Sequence, residues 1–500
     1  MAVHDERVMA SEQVAPVLLS RVLGPFDLVV IFVAIVLFII NASTIQAAGP
    51  SAFVFWVVGF LCFLIPGAIV TYQLGMMFPQ EGSLYVWTHK ALGSFWGFFA
   101  GFAAWWPGIM VLVLTGELVV TLLQSFFGIL GDSVLTRPWE QGVVILAVIW
   151  FSAIMSALRF RLTQNYVNVQ FVFYATAIFL IGLSGLIWVW RGNPVANSFA
   201  LTSANWNPFE SAKLTWFGFA ILALLGIEVP LNMGVEVKGE RSIKRYLVAG
   251  SIVVMVAYVW TTLGNMLVVP VSESAKIPTT AIITTVQRAT TDWLGLAVAA
   301  VVAWFFLTAA VAYNYSFARL LFVSGLERRM PAAIGKVSRN KVPSNAVAVQ
   351  AVLASIIAYI LFFPPLVSLG SSQTTLATKM YLALLATITV VWAVSMILLF
   401  LDVFFVRNWF PQKFEEVRAL PRGALFTAGI VGAAFSAVGI FSTFWYPWST
   451  DLFSRGTWFG WIGTMTLVSL LIAVVIFFLS ERVRRGHEKL VEEARPAAGT

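Results

Sequence analysis

The chain has 500 residues, of which 60% are hydrophobic and only 11% charged, with a mean hydropathy of +0.88 and a net charge of +8. A typical soluble domain carries about 25% charged residues, and a soluble chain of this length needs far more polar surface to cover its core. The composition excludes an ordinary soluble enzyme or binding domain and makes the lipid bilayer the chain's main partner.

Apolar residues come in blocks of about 20, the length that crosses a hydrocarbon layer of about 30 Å. Twelve such blocks are predicted as transmembrane helices: 26–48, 51–77, 94–127, 141–158, 164–190, 214–237, 246–269, 293–323, 345–363, 376–401, 424–446 and 459–480. They are helices because a lipid-exposed backbone must satisfy itself, and a barrel would alternate polar with apolar residues, which these runs do not. The expected fold class is therefore all-α integral membrane. The third and eighth blocks are long enough to tilt or to extend past the bilayer. Residues 1–25 mix Asp5, Glu6, Arg7 and Glu12 without an apolar stretch, so no cleaved signal peptide is expected. Residues 481–500 form a polar tail in which no large regulatory domain fits.

The positive charge is parcelled into short loops, so no nucleic-acid partner is expected. Of the 31 Lys and Arg residues, 24 fall in the first segment, the tail and alternate loops, with Lys238, Arg241, Lys244, Arg245 and Arg319 counted among them. That bias predicts an even number of spans, with both termini facing the cytoplasm. Trp445, Tyr446, Trp448, Trp458 and Trp461 near span ends read as interfacial anchors. The single Cys62 permits no internal disulfide, and His4, His89 and His487 lie outside the predicted spans. No metal or cofactor is expected. Nucleotide-binding, nucleophile-elbow and metalloprotease motifs are absent from the sequence, and no catalytic groups converge at one depth, so an enzyme is not expected.

Charged residues inside spans are informative, since each costs about 2.5–3.5 kcal/mol or more near mid-bilayer. Glu228 stands in the sixth block within Leu225-Gly226-Ile227-Glu228-Val229-Pro230. Pro230 lacks an amide proton and clashes with the carbonyl of Gly226, so a helix break is predicted there. Broken backbone at membrane depth is tolerated beside a cavity or ligand. Glu117 in the third block can accept a proton, bind an amine or pair within the bundle. Glu236, near Lys238 and Arg241, reads as a surface or gate ion pair. Asn41, Ser43, Thr44 and Gln46 form a polar patch late in the first block, either a hydrated helix end or part of a path lining. Pro66 and Pro107 read as ordinary kinks.

Four stretches together resemble a known family. Ala47-Ala48-Gly49-Pro50 is followed by Phe78-Pro79-Gln80-Glu81-Gly82-Ser83-Leu84-Tyr85-Val86-Trp87 and Leu92-Gly93-Ser94-Phe95-Trp96. Gly226-Ile227-Glu228 precedes Glu236-Val237-Lys238-Gly239-Glu240-Arg241, and Ser316-Phe317-Ala318-Arg319 precedes Met330-Pro331 and Lys341-Val342-Pro343-Ser344-Asn345. In this order the sequence resembles permeases of the amino acid–polyamine–organocation superfamily over nearly the whole chain.

The resemblance implies a 5+5 inverted-repeat (LeuT-like) core, with spans 1–5 over 26–190 and spans 6–10 over 214–401, and two peripheral helices over 424–480. Five is odd, so the second repeat enters from the opposite side. It implies discontinuous helices 1 and 6 with a solute between them, Glu228 near that solute, and Tyr313 as an aromatic gate. Val36-Leu37-Phe38-Ile39-Ile40-Asn41 stands where the family carries Gly-Ser-Gly, a feature closer to the glutamate/γ-aminobutyrate antiporter branch. Leu222 replaces a tryptophan found in some relatives, which disfavours an arginine-type cation–π site. The implied function is secondary transport of a small amino-acid-like solute across the cell (inner) membrane, by proton symport or solute exchange. A polyamine or organic-cation carrier and a transporter-like sensor are the alternatives, and monomer and homodimer both stay open.

Overall fold

The computed structural model describes residues 9–363 and 373–494. His4, Asp5, Glu6 and Arg7 of the first segment, and the tail from 495 onward, lie outside the described residues. Among the described residues everything is helix, turn or loop apart from two isolated bridges, Leu23 with Val237 and Glu81 with Met233. Among the described residues ten helices are long and apolar enough to cross a membrane. They are Ser51–Met77, Ser94–Ile129, Pro138–Ala157, Phe160–Trp190, Arg241–Val268, Asp292–Leu326, Ser344–Phe362, Lys379–Trp409, Arg422–Trp445 and Arg455–Val483. They match predicted spans two to five and seven to twelve, and the molecule is a multi-pass helical membrane protein. The third and eighth run to 36 and 35 residues, as expected. Gly108 lies against Phe317 where these two helices pack, a close approach that only a small residue allows.

The first predicted span is in two pieces. Pro25–Val36 and Ile40–Ala48 meet at a bend of 40°. Its start is well specified: Pro25 has the backbone angle of a first helical turn, and the Asp27 carboxylate accepts the Gly24 amide at 2.8 Å.

The sixth span departs furthest from a continuous helix. Only Thr215–Leu222 is α-helical, and single 3-10 turns follow at Val229–Asn232 and Gly234–Glu236. The sequence pointed to Pro230 as the break, yet the chain turns earlier, at Gly226. Its φ of +109° suits glycine, and a Cβ there would stand 2.5 Å from Ile35 Cγ2. Pro230 instead sits in the first 3-10 turn, where a missing amide proton is harmless.

Both ends of the described chain meet one connection, between spans eight and nine. The Ser11 amide in the helix Ala10–Leu18 donates to Glu327 at 2.7 Å, and Arg329 pairs with Glu481 at 2.6 Å. The two ends therefore share a face of the bundle, called the terminal face below, which requires an even number of crossings. The twelfth helix continues without interruption to Ala494, so the polar tail begins as its extension. Trp458 corrects one expectation: it is fully buried and its indole donates to the Thr443 carbonyl at 2.8 Å, so it is internal rather than interfacial.

Candidate functional site

Breaking two helices strands backbone groups in the interior, where each needs a partner. Four tyrosines from three other spans supply them. Tyr174 of the fifth span accepts the Ile39 amide at 3.0 Å and donates to the Leu37 carbonyl at 2.7 Å. Tyr313 of the eighth donates to the Ile35 carbonyl at 2.8 Å, and Tyr246 of the seventh to Ile227 at 3.3 Å. Tyr258, also of the seventh, reaches both breaks at once, with Val36 O at 2.8 Å and Ala223 O at 3.0 Å. Its single proton serves one carbonyl at a time, which ties the two breaks together. Tyr258→Phe keeps the stacking on Trp56 at 4.3 Å but removes that donor. It is expected to destabilise the purified protein by about 1–3 kcal/mol, read as a lower Tm. An unchanged Tm would assign those carbonyls to another donor.

Beside the joined breaks is a cavity of about 560 Å³. Its walls come from the first span (Ile35, Val36, Asn41), the sixth (Trp216, Leu222), the eighth (Tyr313) and the tenth (Tyr381, Trp392). It extends to Lys276 and Ser449, in the connections between spans seven and eight and spans eleven and twelve, on the face opposite the termini. The lining is mainly apolar and aromatic, the usual make-up of a small-molecule site with a few orienting polar groups. Among the described lining residues Lys276 is the only formal charge.

The two predicted carboxylates stand one residue behind this wall. Glu228 is 1% exposed, and its Oε1 accepts the Trp392 indole proton at 3.0 Å. Among the described residues its other oxygen, Oε2, has no hydrogen-bond partner. Glu117 accepts from Thr121 at 3.2 Å and from the Tyr381 hydroxyl, which lines the cavity. Among the described residues neither carboxylate is in an ion pair. Asn41 lines the cavity and reaches the Tyr258 hydroxyl at 3.4 Å. Ser43 faces away, donating to Pro278 O at 2.6 Å, and Gln46 donates to Val269 O at 2.8 Å, so both fasten the outer half of the first span. Gly226 and Ile227 lie behind the lining, and among the described residues their amides have no backbone acceptor.

Toward the terminal face the path is closed by a cluster absent from the sequence reading. Arg319, counted there as a loop charge, is fully buried. Its guanidinium holds Glu236 Oε1 through Nε at 3.0 Å and a terminal nitrogen at 2.7 Å, and Glu81 Oε1 stands 3.3 Å from Nε. The Phe160 ring lies 5.0 Å beneath it. Backbone bonds sew the Glu81 and Glu236 segments to each other, and the Glu236 segment to the start of the first span. Gly82 donates to Asn232 O at 2.8 Å, Leu23 to Glu236 O at 2.9 Å, and Lys238 to Leu23 O at 2.8 Å. Glu236 is thus in a buried ion pair, but its partner is Arg319 rather than Lys238 or Arg241. A second cavity, of about 320 Å³ and lined by Ser20, Arg159 and Asn340, reaches Glu236 from the terminal side.

A cavity between two broken helices in a multi-pass bundle, closed toward one face, defines the architecture of a membrane carrier core. The sequence profile of the amino acid permease family matches residues 23–479, and the chain belongs to that family. Among similar proteins is a probable agmatine/putrescine antiporter of Lactococcus lactis, 26% identical over 46% of this chain and 48% of its own. A polyamine transporter of Arabidopsis thaliana is 34% identical over 21% of each chain, and a glutamate/serine transporter of Bacillus subtilis 26% identical over 43% of this chain and 40% of its own. The chain matches about half or less of the length of each of these relatives.

Proposed function

We propose that this protein is a secondary carrier that moves an amino acid or a closely related small zwitterion across the cell membrane by alternating access, as proton symport or solute exchange. The observation that carries the reading is the cavity bounded by both helix breaks, reaching one face and closed by the Arg319 cluster toward the other. A zwitterion suits its charges: Lys276 near the mouth can meet a carboxylate, and Glu228 behind Trp392 can meet an ammonium group. Membership of the amino acid permease family supports this reading. The positive-inside bias supports a cytoplasmic terminal face, with the cavity facing outward. Two five-span units over 26–190 and 214–401 accord with breaks in the first member of each.

The test is uptake into proteoliposomes from a panel of labelled amino acids and amines, with and without a proton gradient and with and without unlabelled solute inside. Uptake of one amino acid class supports the proposal, and its dependence on gradient or internal solute separates symport from exchange. Silence across the panel, from protein shown to be folded, overturns it.

The polyamine reading has its own support in Glu117. A second carboxylate beside the cavity suits a dication, and two of the relatives are an agmatine/putrescine antiporter and a polyamine transporter by name. Glu117→Gln separates the readings. For an amino acid carrier uptake is expected to change by less than about threefold, whereas a diamine carrier is expected to lose about tenfold or more, as for a hydrogen bond to a charged group.

A further inference from the structure

The first turns of the seventh span carry Arg241, Lys244 and Arg245, and none of them is in an ion pair among the described residues. These three cations outnumber the one carboxylate beside them, that of Glu240. The positive-inside rule asks for cations on this face, but it does not ask for a particular arrangement. The arrangement here is specific. Arg241, Arg245, Val248 and Ile252 follow the spacing of one helix face. That stripe is cationic for its first turns and then apolar, with Val248 54% and Ile252 51% exposed.

Two grooves flank the stripe and share Lys244 and Val248. One, of about 670 Å³, is walled by Pro25, Phe26 and Val29 at the start of the first span, with Arg241 and Arg245 on its rim. The other, of about 380 Å³, runs between Ile69 and Tyr72 of the second span and Met255 of the seventh. Its lining is mostly apolar, with Lys244 at the charged end. Paired apolar channels leaving one cationic head have the form of a two-chain amphiphile.

We propose that an anionic phospholipid of the leaflet on the terminal face binds here, its phosphate on Arg241, Lys244 and Arg245 and its acyl chains in the two grooves. Charge complementarity selects the headgroup, because cations beside a membrane attract anionic lipid and their alkyl stems can lie along apolar surface while the heads stay polar. The site sits five residues beyond Glu236, on the helix that leaves the closed end of the path. The proposal is independent of which solute the protein carries.

The experiment is native mass spectrometry of the full chain released from nanodiscs of phosphatidylglycerol mixed with phosphatidylcholine of the same acyl chains. The wild-type protein is expected to retain phosphatidylglycerol over phosphatidylcholine by about tenfold or more. The R241Q/K244Q/R245Q variant is expected to lose that preference, while R328Q/K336Q, which removes two cations of the same face, keeps it. Val248→Trp fills the shared wall of both grooves with every charge in place and is expected to lower retention as well. That variant carries the test if the triple variant does not fold. Equal retention of the two lipids by wild type overturns the proposal. So does equal loss in the R328Q/K336Q control, which would reveal diffuse attraction, and so does release of the lipid by millimolar inorganic phosphate, which would reveal a headgroup site alone.

Discussion

Glu228→Gln is expected to cut transport by about tenfold or more while the protein stays folded and monodisperse, which fits the loss of a hydrogen bond to a charged group. The substitution keeps an oxygen to accept the Trp392 indole proton, now at 3.0 Å, so the wall of the cavity has no reason to move. What it removes is the charge. A buried carboxylate that, among the described residues, has one oxygen unpartnered and no ion pair bears an uncompensated desolvation cost. A solute ammonium or a proton offsets that cost, and either role is lost in the amide. Two assays distinguish them. If Glu228 holds the solute, both gradient-driven uptake and solute exchange fall together. If it carries a coupling proton, exchange survives and only the gradient dependence disappears. Wild-type rates in both assays would reduce Glu228 to scaffolding, an acceptor for Trp392 and nothing more.

The sequence disclosed this residue because its signal is local. A Glu in an apolar run beside a Gly and a Pro is costly on any reading, so the sixth span could be singled out without coordinates. Ten of the twelve predicted spans were legible for the same reason, since length and hydropathy suffice. The position of the break was less so. Gly226 and Pro230 both disrupt helices, and only the approach of Ile35 from the first span shows that Gly226 makes the turn. The tyrosines that satisfy the breaks were invisible as a set. Tyr174, Tyr246 and Tyr258 look like ordinary aromatic residues of long spans, and their role depends on carbonyls up to 222 residues away. Trp392 was hidden likewise: an indole in an apolar helix reads as core until a carboxylate is placed against it. Tyr313 was found only through the family resemblance.

Arg319 is the instructive miss. It lies two turns before the end of a mostly apolar helix, and counting it among the loop charges assigned it to water. Nothing nearby in sequence marks it as buried, because its partners arrive from positions 81 and 236. The family's basic and acidic motifs were all visible singly, but their convergence on one point follows from tertiary packing alone. That convergence also lies close to the cavity in the chain. The segment that breaks the sixth span beside the cavity continues into Glu236 of the ion cluster only a few residues on.

Neutralising the cluster is therefore expected to open the terminal face. Arg319→Gln alone would leave Glu81 and Glu236 as buried carboxylates without their cation, a loss of about 3–5 kcal/mol that threatens folding. The informative variant is E81Q/E236Q/R319Q, in which all three side chains keep hydrogen-bonding groups and no charge is stranded. Replacing the whole cluster leaves no uncompensated buried charge, the term that makes the single substitution costly. The state of the gate can be read from Val235→Cys, a buried position beside Glu236, with Cys62 replaced by Ala so that one thiol reports. Labelling by a water-soluble maleimide in nanodiscs, where both faces are accessible, is expected to rise by about tenfold or more in the neutral variant. That rise corresponds to about 1.4 kcal/mol of lost bias toward the closed form. Saturating transported solute should then raise labelling in the charged protein, if loading the cavity loosens the cluster, and change it little in the neutral one. Identical labelling rates with and without the cluster would show that the backbone bonds of Leu23, Gly82 and Lys238 close this face unaided, and Arg319 would then serve packing rather than the gate.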